Sequence, residues 1–379
     1  MWLGQAHVRP LIPNFSLKGA VFARASISKR NNQAILPNPA TVIGFGSGGL
    51  GLKLKDIIEP IAGDLEEFER EFKRILKSDI FLIDQVVHYL ISHRGKRLRP
   101  ILVLLVSRLN GSPPTLKRLK AAAILELLHT ATLLHDDVVD DSYRRRGFPS
   151  INSIWKNKVS VLMGDYLFSK SLLAMLHIGD HQAFDIISRT AERMSQGELL
   201  QLERSRDFWM EEEIYFRLIA DKTAALISAA CQLGGLAGGQ SPEEVEAMGE
   251  FGEKVGIAFQ IRDDLLDLLG DENLTGKPIG SDIRENKVTL PLLHALKQAR
   301  KSEAKNVIRL VRRGSSWRSR RSDHRRIVDF IQQHGGIEYA TVTAQRFQDQ
   351  ALGLLQPYHS SPYKSSLANL VKFITAREH

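Results

Sequence analysis

The segment TLLHDDVVDDSYRRRG, residues 132–147, ends an apolar stretch of the chain with four carboxylates and three consecutive arginines. Such a run of opposed charges is most often a solvated surface whose ion pairs are weak. The same DDxxD spacing recurs in AFQIRDDLLDLLGD, residues 258–271, again among apolar residues. Two such clusters in one chain indicate a shared chemical role rather than surface charge.

The apolar residues around both clusters recur at the three- and four-residue spacing of an amphipathic helix. This spacing extends through most of residues 56–379, where alternating β-branched runs typical of strands are absent. The segments between the helical stretches are rich in Gly and Pro, as in NGSPPT at 110–115 and TGKPIGSD at 275–282. The sequence therefore predicts one all-α domain of roughly ten or more helices over residues 56–379.

Residues 1–55 have a different composition, with seven Lys and Arg, no Asp or Glu, four prolines and the glycine-rich stretch GFGSGGLG. A segment of this kind does not build a packed core, so we predict a disordered or targeting N-terminal extension. An acid-free basic segment is also typical of an organelle transit peptide. An ordinary disordered tail, or a start codon assigned too far upstream, explains it equally well. We expect a cytoplasmic protein, with the mitochondrial matrix as the alternative if residues 1–55 are a transit peptide.

The extension also accounts for most of the net charge, since residues 56–379 carry only +2 of the chain's +9. The most basic part of the body, residues 312–326, lacks a recognition fold around it, so we expect a surface loop and no nucleic-acid partner. The single cysteine, Cys231, excludes intrachain disulfides and cysteine-cluster metal sites. No uninterrupted run of 18 apolar residues occurs, so the sequence predicts no transmembrane span.

On a helix, each DDxxD motif becomes a pair of stacked carboxylates, because residues four apart lie one turn apart at about 100° per residue. These pairs are Asp136 with Asp140 and Asp263 with Asp267, flanked by Asp137 and Asp264. Like charges at this spacing repel each other, which favours a counter-cation. Magnesium prefers one or two carboxylates together with water and substrate phosphate oxygens. The two clusters therefore predict a site where Mg²⁺ ions bridge a diphosphate.

Basic residues accompany both clusters, in RGKRLRP at 94–100 and in the three arginines at 144–146. The planar fork of arginine suits phosphate oxygens, and lysine adds a point charge. The alternative is an exposed helix cap, which we favour for Arg94 and Arg144.

The motifs follow one another in the order GKRxRP, ELLHxxxLLHDDxxDxxxxRRG, GDYLFS, DKTAALIS, FQIRDDLLD and GKPxGxD. In this order, over residues 56–379, the chain resembles the trans-type polyprenyl diphosphate synthases of the isoprenoid synthase fold, such as the octaprenyl, solanesyl and heptaprenyl enzymes. The resemblance implies a single large helical bundle around a central cavity, Mg²⁺ as cofactor and a homodimer. It also implies ionisation of an allylic diphosphate and repeated head-to-tail condensation with isopentenyl diphosphate.

The resemblance assigns a role to each matching residue. It assigns the magnesium ions to Asp136, Asp137, Asp140, Asp263, Asp264 and Asp267. It assigns the diphosphate of isopentenyl diphosphate to Lys96, Arg99, His129 and Arg146, with Arg97 close by. It assigns the allylic diphosphate or the nascent cation to Arg145, Lys222, Thr223, Gln260 and Lys277. Two alternatives stay open: Gln260 as a satisfied helix polar group, and His129 as a buried histidine bonded to Glu126 or the backbone.

The resemblance also places the residues four and five positions before the first cluster in the cavity that receives the growing chain. Here they are Thr132 and Ala131, both small, and Phe168 is the next proposed obstruction, although core packing explains it equally well. Each buried CH₂ contributes about 0.8 kcal/mol, so growth to about C30–C50 is expected before a bulky side chain stops it. Such a product is typical of quinone side chains, and its release predicts peripheral membrane contact.

Three alternative functions stay open. The first is a shorter-chain farnesyl or geranylgeranyl diphosphate synthase. The second is a non-catalytic subunit of a heteromeric enzyme, and the third is a terpene cyclase or head-to-head synthase of the same fold. The intact aspartate and basic motifs argue against the second. The presence of GKRLRP argues against the third, because those reactions do not require an isopentenyl diphosphate site.

Overall fold

A computed structural model describes residues 53–113, 115–145, 147–205, 207–270, 280–314 and 321–375. Their α-helices are α1 (Leu54–Ile58), α2 (Ala62–Leu76), α3 (Phe81–Ser92), α4 (Leu98–Val106), α5 (Leu116–Val139), α6 (Ile151–Ile178), α7 (His181–Arg204), α8 (Glu212–Ile219), α9 (Ala225–Ala237), α10 (Pro242–Leu269), α11 (Ser281–Arg284), α12 (Leu290–Gln298), α13 (Lys301–Gly314), α14 (Arg321–Gln333), α15 (Gly336–Leu354) and α16 (Pro362–Thr375). Shorter elements are a 3-10 turn (Glu59–Ile61), a π-turn (Ala220–Ala224) between α8 and α9, and the antiparallel strands β1 (Arg144–Arg145) and β2 (Phe148–Pro149).

The prediction of an all-α domain with ten or more helices is confirmed for this part of the chain. Its one sheet is the two-residue hairpin between α5 and α6. The predicted extension stays a prediction, since residues 1–52 lie outside the described residues. Of the basic segment 312–326, only residues 315–320 lie outside them; the two ends, which we expected in a surface loop, lie instead in α13 and α14.

Helix α4 lies in the core of the bundle. Its residues Pro100–Val106 are all buried, because the helix is apolar on every side and α2, α5, α9 and α16 pack around it. Burial of each such Leu, Ile or Val side chain contributes about 1.5–3 kcal/mol. The core therefore fixes α5 and α9, which lead to the site, from within the bundle.

Helices α5 and α6 share the most extensive packing in the described structure. A Cβ atom at Gly164 of α6 would lie 2.3 Å from the His135 ring of α5. The buried Ser160 hydroxyl donates to the Leu134 carbonyl at 2.9 Å. This close approach explains the glycine of the GDYLFS motif and holds the end of α5, where the first cluster lies.

Helix α6 meets the length and apolarity of a membrane span by composition alone. One third of its most apolar 18-residue window is buried within the protein, and its buried side packs against α5. We interpret it as a core helix with an exposed apolar side, and the absence of a membrane span stays a prediction.

One residue inside α6, Lys156, has φ 73° and ψ 161°, which are not helical angles. This combination is essentially restricted to glycine, because a Cβ atom clashes there. The Lys156 side chain is exposed. The lysine therefore stores backbone strain at a kink in the helix.

We expect Lys156→Gly to raise the thermal unfolding midpoint, because removal of about 1–3 kcal/mol of strain outweighs the entropy cost of glycine, about 0.5–1 kcal/mol. Lys158→Gly is the matched control, since Lys158 is also exposed but lies in regular helix. That variant should lose about 1 kcal/mol of stability. Equal losses in the two variants, measured by thermal unfolding, would show that position 156 is not strained.

Candidate active site

The first aspartate cluster (Asp136, Asp137 and Asp140) lies at the C-terminal end of α5, with Asp140 directly after the last helical residue. Burial raises the pKa of Asp136 to about 6, and the nearby Glu198 carboxylate adds to this shift while Lys222 opposes it. A carboxylate with a raised pKa among other acids is typical of a functional site. A bound cation would relieve this repulsion.

The second aspartate cluster (Asp263, Asp264 and Asp267) lies in the last turns of α10. A capping box starts this helix, since the Ser241 hydroxyl and the Glu244 carboxylate each accept the other's backbone N–H. At the other end, the Asp267 carboxylate accepts backbone N–H groups of Ser281 at 3.2 Å and Asp282 at 3.0 Å. The start of α11 therefore fixes the last aspartate of the cluster.

The middle aspartates of the two clusters share a distinct environment. Asp137 is 2% exposed, and its Oδ1 accepts from Nε and Nη2 of Arg145, both at 2.8 Å. Asp264 is 6% exposed, and its two oxygens accept from Tyr215 and Gln260, both at 2.8 Å. Asp136, Asp140 and Asp263 are more exposed than their middle neighbours. The assignment of six metal ligands stays a prediction, and the geometry favours the outer aspartates.

Among the described residues, no group of three or more acidic, His or Cys side chains is already arranged as a metal site. The carboxylate donors nevertheless suit a hard cation such as Mg²⁺, which retains waters and takes substrate phosphate oxygens as further ligands. The site therefore fits a metal that is completed by a bound diphosphate.

The π-turn between α8 and α9 is held on two sides by close backbone contacts. A Cβ at Gly197 of α7 would lie 2.8 Å from the Lys222 backbone nitrogen, and one at Gly256 of α10 would lie 2.5 Å from the Ala224 Cα. Within the turn, Asp221 is buried and accepts from Arg193 Nε at 2.8 Å. Helical insertions of this kind often lie at functional sites, and this one places Lys222 and Thr223.

These two side chains connect the clusters. Lys222 Nζ lies 2.7 and 2.8 Å from the two carboxylate oxygens of Glu198 and near enough to Asp136 to oppose the rise of its pKa. The Thr223 hydroxyl donates to Gln260 Oε1 at 2.8 Å. The structure thus brings Thr223 into contact with Gln260 and places Lys222 beside Glu198, while the substrate-binding roles of the three predicted residues stay predictions. Glu198 belongs to none of the motifs of the sequence analysis.

A pocket beside the first cluster brings together His129, Arg145 and Arg97 of the predicted phosphate ligands. Arg94 also lines it, although the sequence analysis favoured a helix cap for this residue. Lys96 lies instead over the ring of Phe373 in α16, with its Nζ 5.2 Å from the centroid.

Arg97 is held by protein groups. Its Nη1 lies 2.6 Å from Glu126, its Nε lies 3.4 Å from Glu69, and its guanidinium stacks on Phe72 with the carbon 4.7 Å from the ring centroid. Only 10% of the side chain is exposed. Glu126, named above as a possible partner of His129, therefore binds Arg97.

The β1–β2 hairpin presents Arg145 to Asp137. The Tyr89 hydroxyl donates to the Pro149 carbonyl at 2.7 Å, and the Phe148 ring lies edge-on to His93 at 4.2 Å between centroids. These contacts attach the hairpin to α3. Of the other three predicted phosphate ligands, Arg99 lies half-buried in the first turn of α4, whereas Arg146 and Lys277 lie outside the described residues.

The proposed chain-length residues lie beside the first cluster. Ala131 is fully buried, and the half-buried Thr132 donates its hydroxyl to the His129 carbonyl at 3.0 Å. Phe168 packs against the hydrophobic core, as its alternative explanation requires. The open cavity floor stays a prediction.

One further acid near the second cluster was not among the predicted site residues. Burial raises the pKa of Asp282 to about 7, and the Asp267 carboxylate adds to the shift. Lys287 Nζ lies 3.8 Å from Asp282 and 2.5 Å from Glu285. The aspartate of the GKPxGxD motif marks this position in the sequence, although periodicity gives no reason to place it beside α10.

Comparisons with known proteins show to which sequences and structures this chain is similar. The family model described as polyprenyl synthetase matches residues 81–331, which contain both clusters. The chain is 34% identical over 327 residues to the octaprenyl diphosphate synthase of Escherichia coli K12, covering 86% of this chain and 100% of that protein. It is 36% identical over 329 residues to heptaprenyl diphosphate synthase component 2 of Geobacillus stearothermophilus, with the same coverage. A crystal structure of a Caulobacter crescentus polyprenyl synthase, complexed with calcium and isoprenyl diphosphate, matches with a TM-score of 0.79 at 33% identity over 86% of this chain and 98% of that one.

Proposed function

This chain belongs to the polyprenyl synthetase family, and on that premise we propose that it condenses isopentenyl diphosphate head-to-tail onto an allylic diphosphate. The product is a long-chain all-trans polyprenyl diphosphate, which makes the chain a prenyltransferase. The isoprenoid synthase fold is confirmed by the structural similarity. The observation that carries the proposal is the π-turn, whose Lys222 lies near the first cluster and whose Thr223 is bonded to Gln260 beside the second.

We propose Mg²⁺ as the cation, held by the aspartate clusters. The family similarity and the calcium complex of the Caulobacter relative support a divalent metal, and the carboxylate donors favour a hard one. When bound, the cation supplies Lewis-acid stabilisation of the negative charge on the leaving diphosphate.

The protein's own groups then provide preorganised electrostatics. Arg145 carries positive charge beside Asp137 and Lys222 carries it near Asp136, where the allylic diphosphate is proposed to bind. Gln260 is oriented by Thr223 and Asp264, so that its dipole is fixed before the allylic C–O bond breaks. Lys96, Arg99 and His129 are proposed to bind isopentenyl diphosphate. Its double bond attacks the allylic carbocation that is left when the C–O bond breaks, and the released diphosphate takes the proton that the new tertiary carbocation loses.

We propose a long product of about C30–C50, because the residues at the proposed cavity floor are small and each added CH₂ gains burial. The octaprenyl and heptaprenyl names of the two relatives support this length. A shorter-chain synthase is the alternative. The name of the Geobacillus relative, a component 2, keeps a heteromeric enzyme as a further alternative.

We also propose a homodimer. Helices α6 and α7 expose a set of leucines outside the core: Leu162, Leu173, Leu176, Leu199 and Leu202 are 52–66% exposed. Two neighbouring helices with such surfaces favour burial against a partner, and a second copy is the occupant that the family resemblance implies.

Purified chain incubated with Mg²⁺, farnesyl diphosphate and labelled isopentenyl diphosphate should form longer products without a second subunit. Asp136→Ala and Asp263→Ala should each lower kcat by about two to three orders of magnitude, because each removes a proposed metal ligand worth several kcal/mol. Asp141→Asn, which removes an adjacent charge outside the motif, should stay close to wild type. Full activity in either alanine variant would contradict the two-cluster site, and no wild-type product would contradict the function.

Ala131→Tyr or Thr132→Phe should shorten the main product to about C15–C20 without loss of condensation, since an aromatic ring would stop chain burial below the metal site. Chromatography of dephosphorylated products measures the length. The control is the Mg²⁺ dependence of each variant, which should match wild type. A wild-type product of C15–C20, or a long product unchanged in both variants, would contradict the open floor.

Analytical ultracentrifugation should show about twice the chain mass of 42.6 kDa. Leu176→Asp should shift the chain toward monomer, because it places a charge on the exposed apolar surface of α6. Leu116→Asp at the start of α5, where the side chain is 73% exposed, is the matched control and should remain dimeric. A wild-type monomer would overturn the homodimer.

A further inference from the structure

We propose that Tyr215 is a positioning residue for this reaction: it holds the Asp264 carboxylate, and through it orients the Gln260 amide toward the substrate. This inference rests on the proposed function, because Gln260 and Thr223 are the residues assigned to the allylic substrate. Tyr215 lies in α8, 49 positions before Asp264 in the chain, and belongs to none of the motifs that the sequence analysis identified.

Tyr215 and Asp264 form a hydrogen bond inside the protein. Tyr215 is 2% exposed, and its hydroxyl donates to Asp264 Oδ2 at 2.8 Å. A buried phenol needs a partner for its hydroxyl, and a buried carboxylate needs donors for its oxygens. Each group therefore supplies what the other lacks.

The other oxygen of Asp264 binds the Gln260 amide. Its Oδ1 accepts from Gln260 Nε2 at 2.8 Å, one turn earlier on α10. Each oxygen of Asp264 is thus engaged by its own protein donor. The carboxylate cannot rotate about its own axis without breaking one of these bonds, so the tyrosine fixes the direction in which Gln260 is held.

The side-chain amide of Gln260 is bound at both of its polar atoms. Gln260 Oε1 accepts from the Thr223 hydroxyl at 2.8 Å, while its NH₂ group donates to Asp264. Ionised Asp264 only accepts hydrogen bonds, so in that state the reverse orientation of the amide would set two acceptors against each other. With Asp264 ionised, the hydrogen bonds from Tyr215 through Asp264 and Gln260 to Thr223 therefore have one arrangement of donors and acceptors.

The position of Tyr215 in this chain separates its role from that of the groups that touch the substrate. It is the buried end, in the helix before the π-turn, whereas Thr223 at the other end lies in the turn beside Lys222. The hydroxyl therefore acts on the reaction through Asp264. Outer partners of this kind typically contribute a factor of about 10–100 to activity.

Tyr215→Phe tests the inference, because it keeps the buried ring and removes only the hydroxyl. Tyr339→Phe is the matched control, since the Tyr339 hydroxyl also donates to a carboxylate, that of Glu212. This bond is not part of the hydrogen-bond series from Tyr215 to Thr223. We expect kcat to fall about 10- to 100-fold in Tyr215→Phe, with the Michaelis constant for isopentenyl diphosphate unchanged. Tyr339→Phe should retain wild-type kcat.

A double variant distinguishes positioning from a general loss of stability. If the hydroxyl acts through Gln260, adding Tyr215→Phe to Gln260→Leu should lower kcat no further, because coupled residues are not additive. Additive losses, a wild-type kcat in Tyr215→Phe, or equal losses in both tyrosine variants would overturn the inference.

Thermal unfolding and circular dichroism establish that each variant is folded. If Tyr215→Phe does not fold, para-aminophenylalanine at position 215 takes its place, because its amino group retains a donor for Asp264 at the end of the same ring. A kcat above that of Gln260→Leu would then support the inference, and a kcat at that level would overturn it. Failure of the proposed function is separate, since it would appear as an inactive wild-type chain.

Discussion

The structure depends on keeping many carboxylates close together while part of their charge is removed from water. Like charges one helical turn apart repel each other, and burial adds a desolvation cost for each ionised group. The chain meets this constraint in part by giving several of these acids a specific protein partner. Arg145 binds Asp137. Asp264 is bound by both Tyr215 and Gln260, and Asp267 by the backbone at the start of α11.

The cations of the site are arranged in the same way. Lys222 is paired with Glu198, Arg145 with Asp137, and Arg97 with Glu126 and Glu69. When a diphosphate binds to such a site, its oxygens replace or join a protein carboxylate that already binds the Lys or Arg side chain. Part of the cost of removing water from that side chain has therefore been met during folding. The side chains are also ordered before binding, which lowers the entropy cost of holding them.

The sequence predicted the parts of this arrangement that depend on local periodicity. The helical spacing placed the two clusters on α5 and α10, and the order of motifs identified the residues around them. Partners that come from distant helices were not predicted, because periodicity indicates which side of a helix is buried but not which side chain lies opposite. Glu198, Tyr215 and Asp282 are of this kind. Lys156 shows a further limit, since nothing local to a lysine indicates that the tertiary structure will hold it at angles suited to glycine.

The π-turn has a consequence for how the two helices it joins relate to each other. Relative to a regular α-helix it contains one additional residue, and one residue corresponds to a rotation of about 100° around the axis. Helices α8 and α9 therefore read as one continuous rod whose two halves are out of phase. Loss of a single codon within this turn would leave the rod intact and even more regular, yet it would turn every side chain on one half away from its neighbours. In this molecule, the amount of helix and the rotational position of its side chains are separate properties. Only the rotational position determines whether the site residues meet their partners.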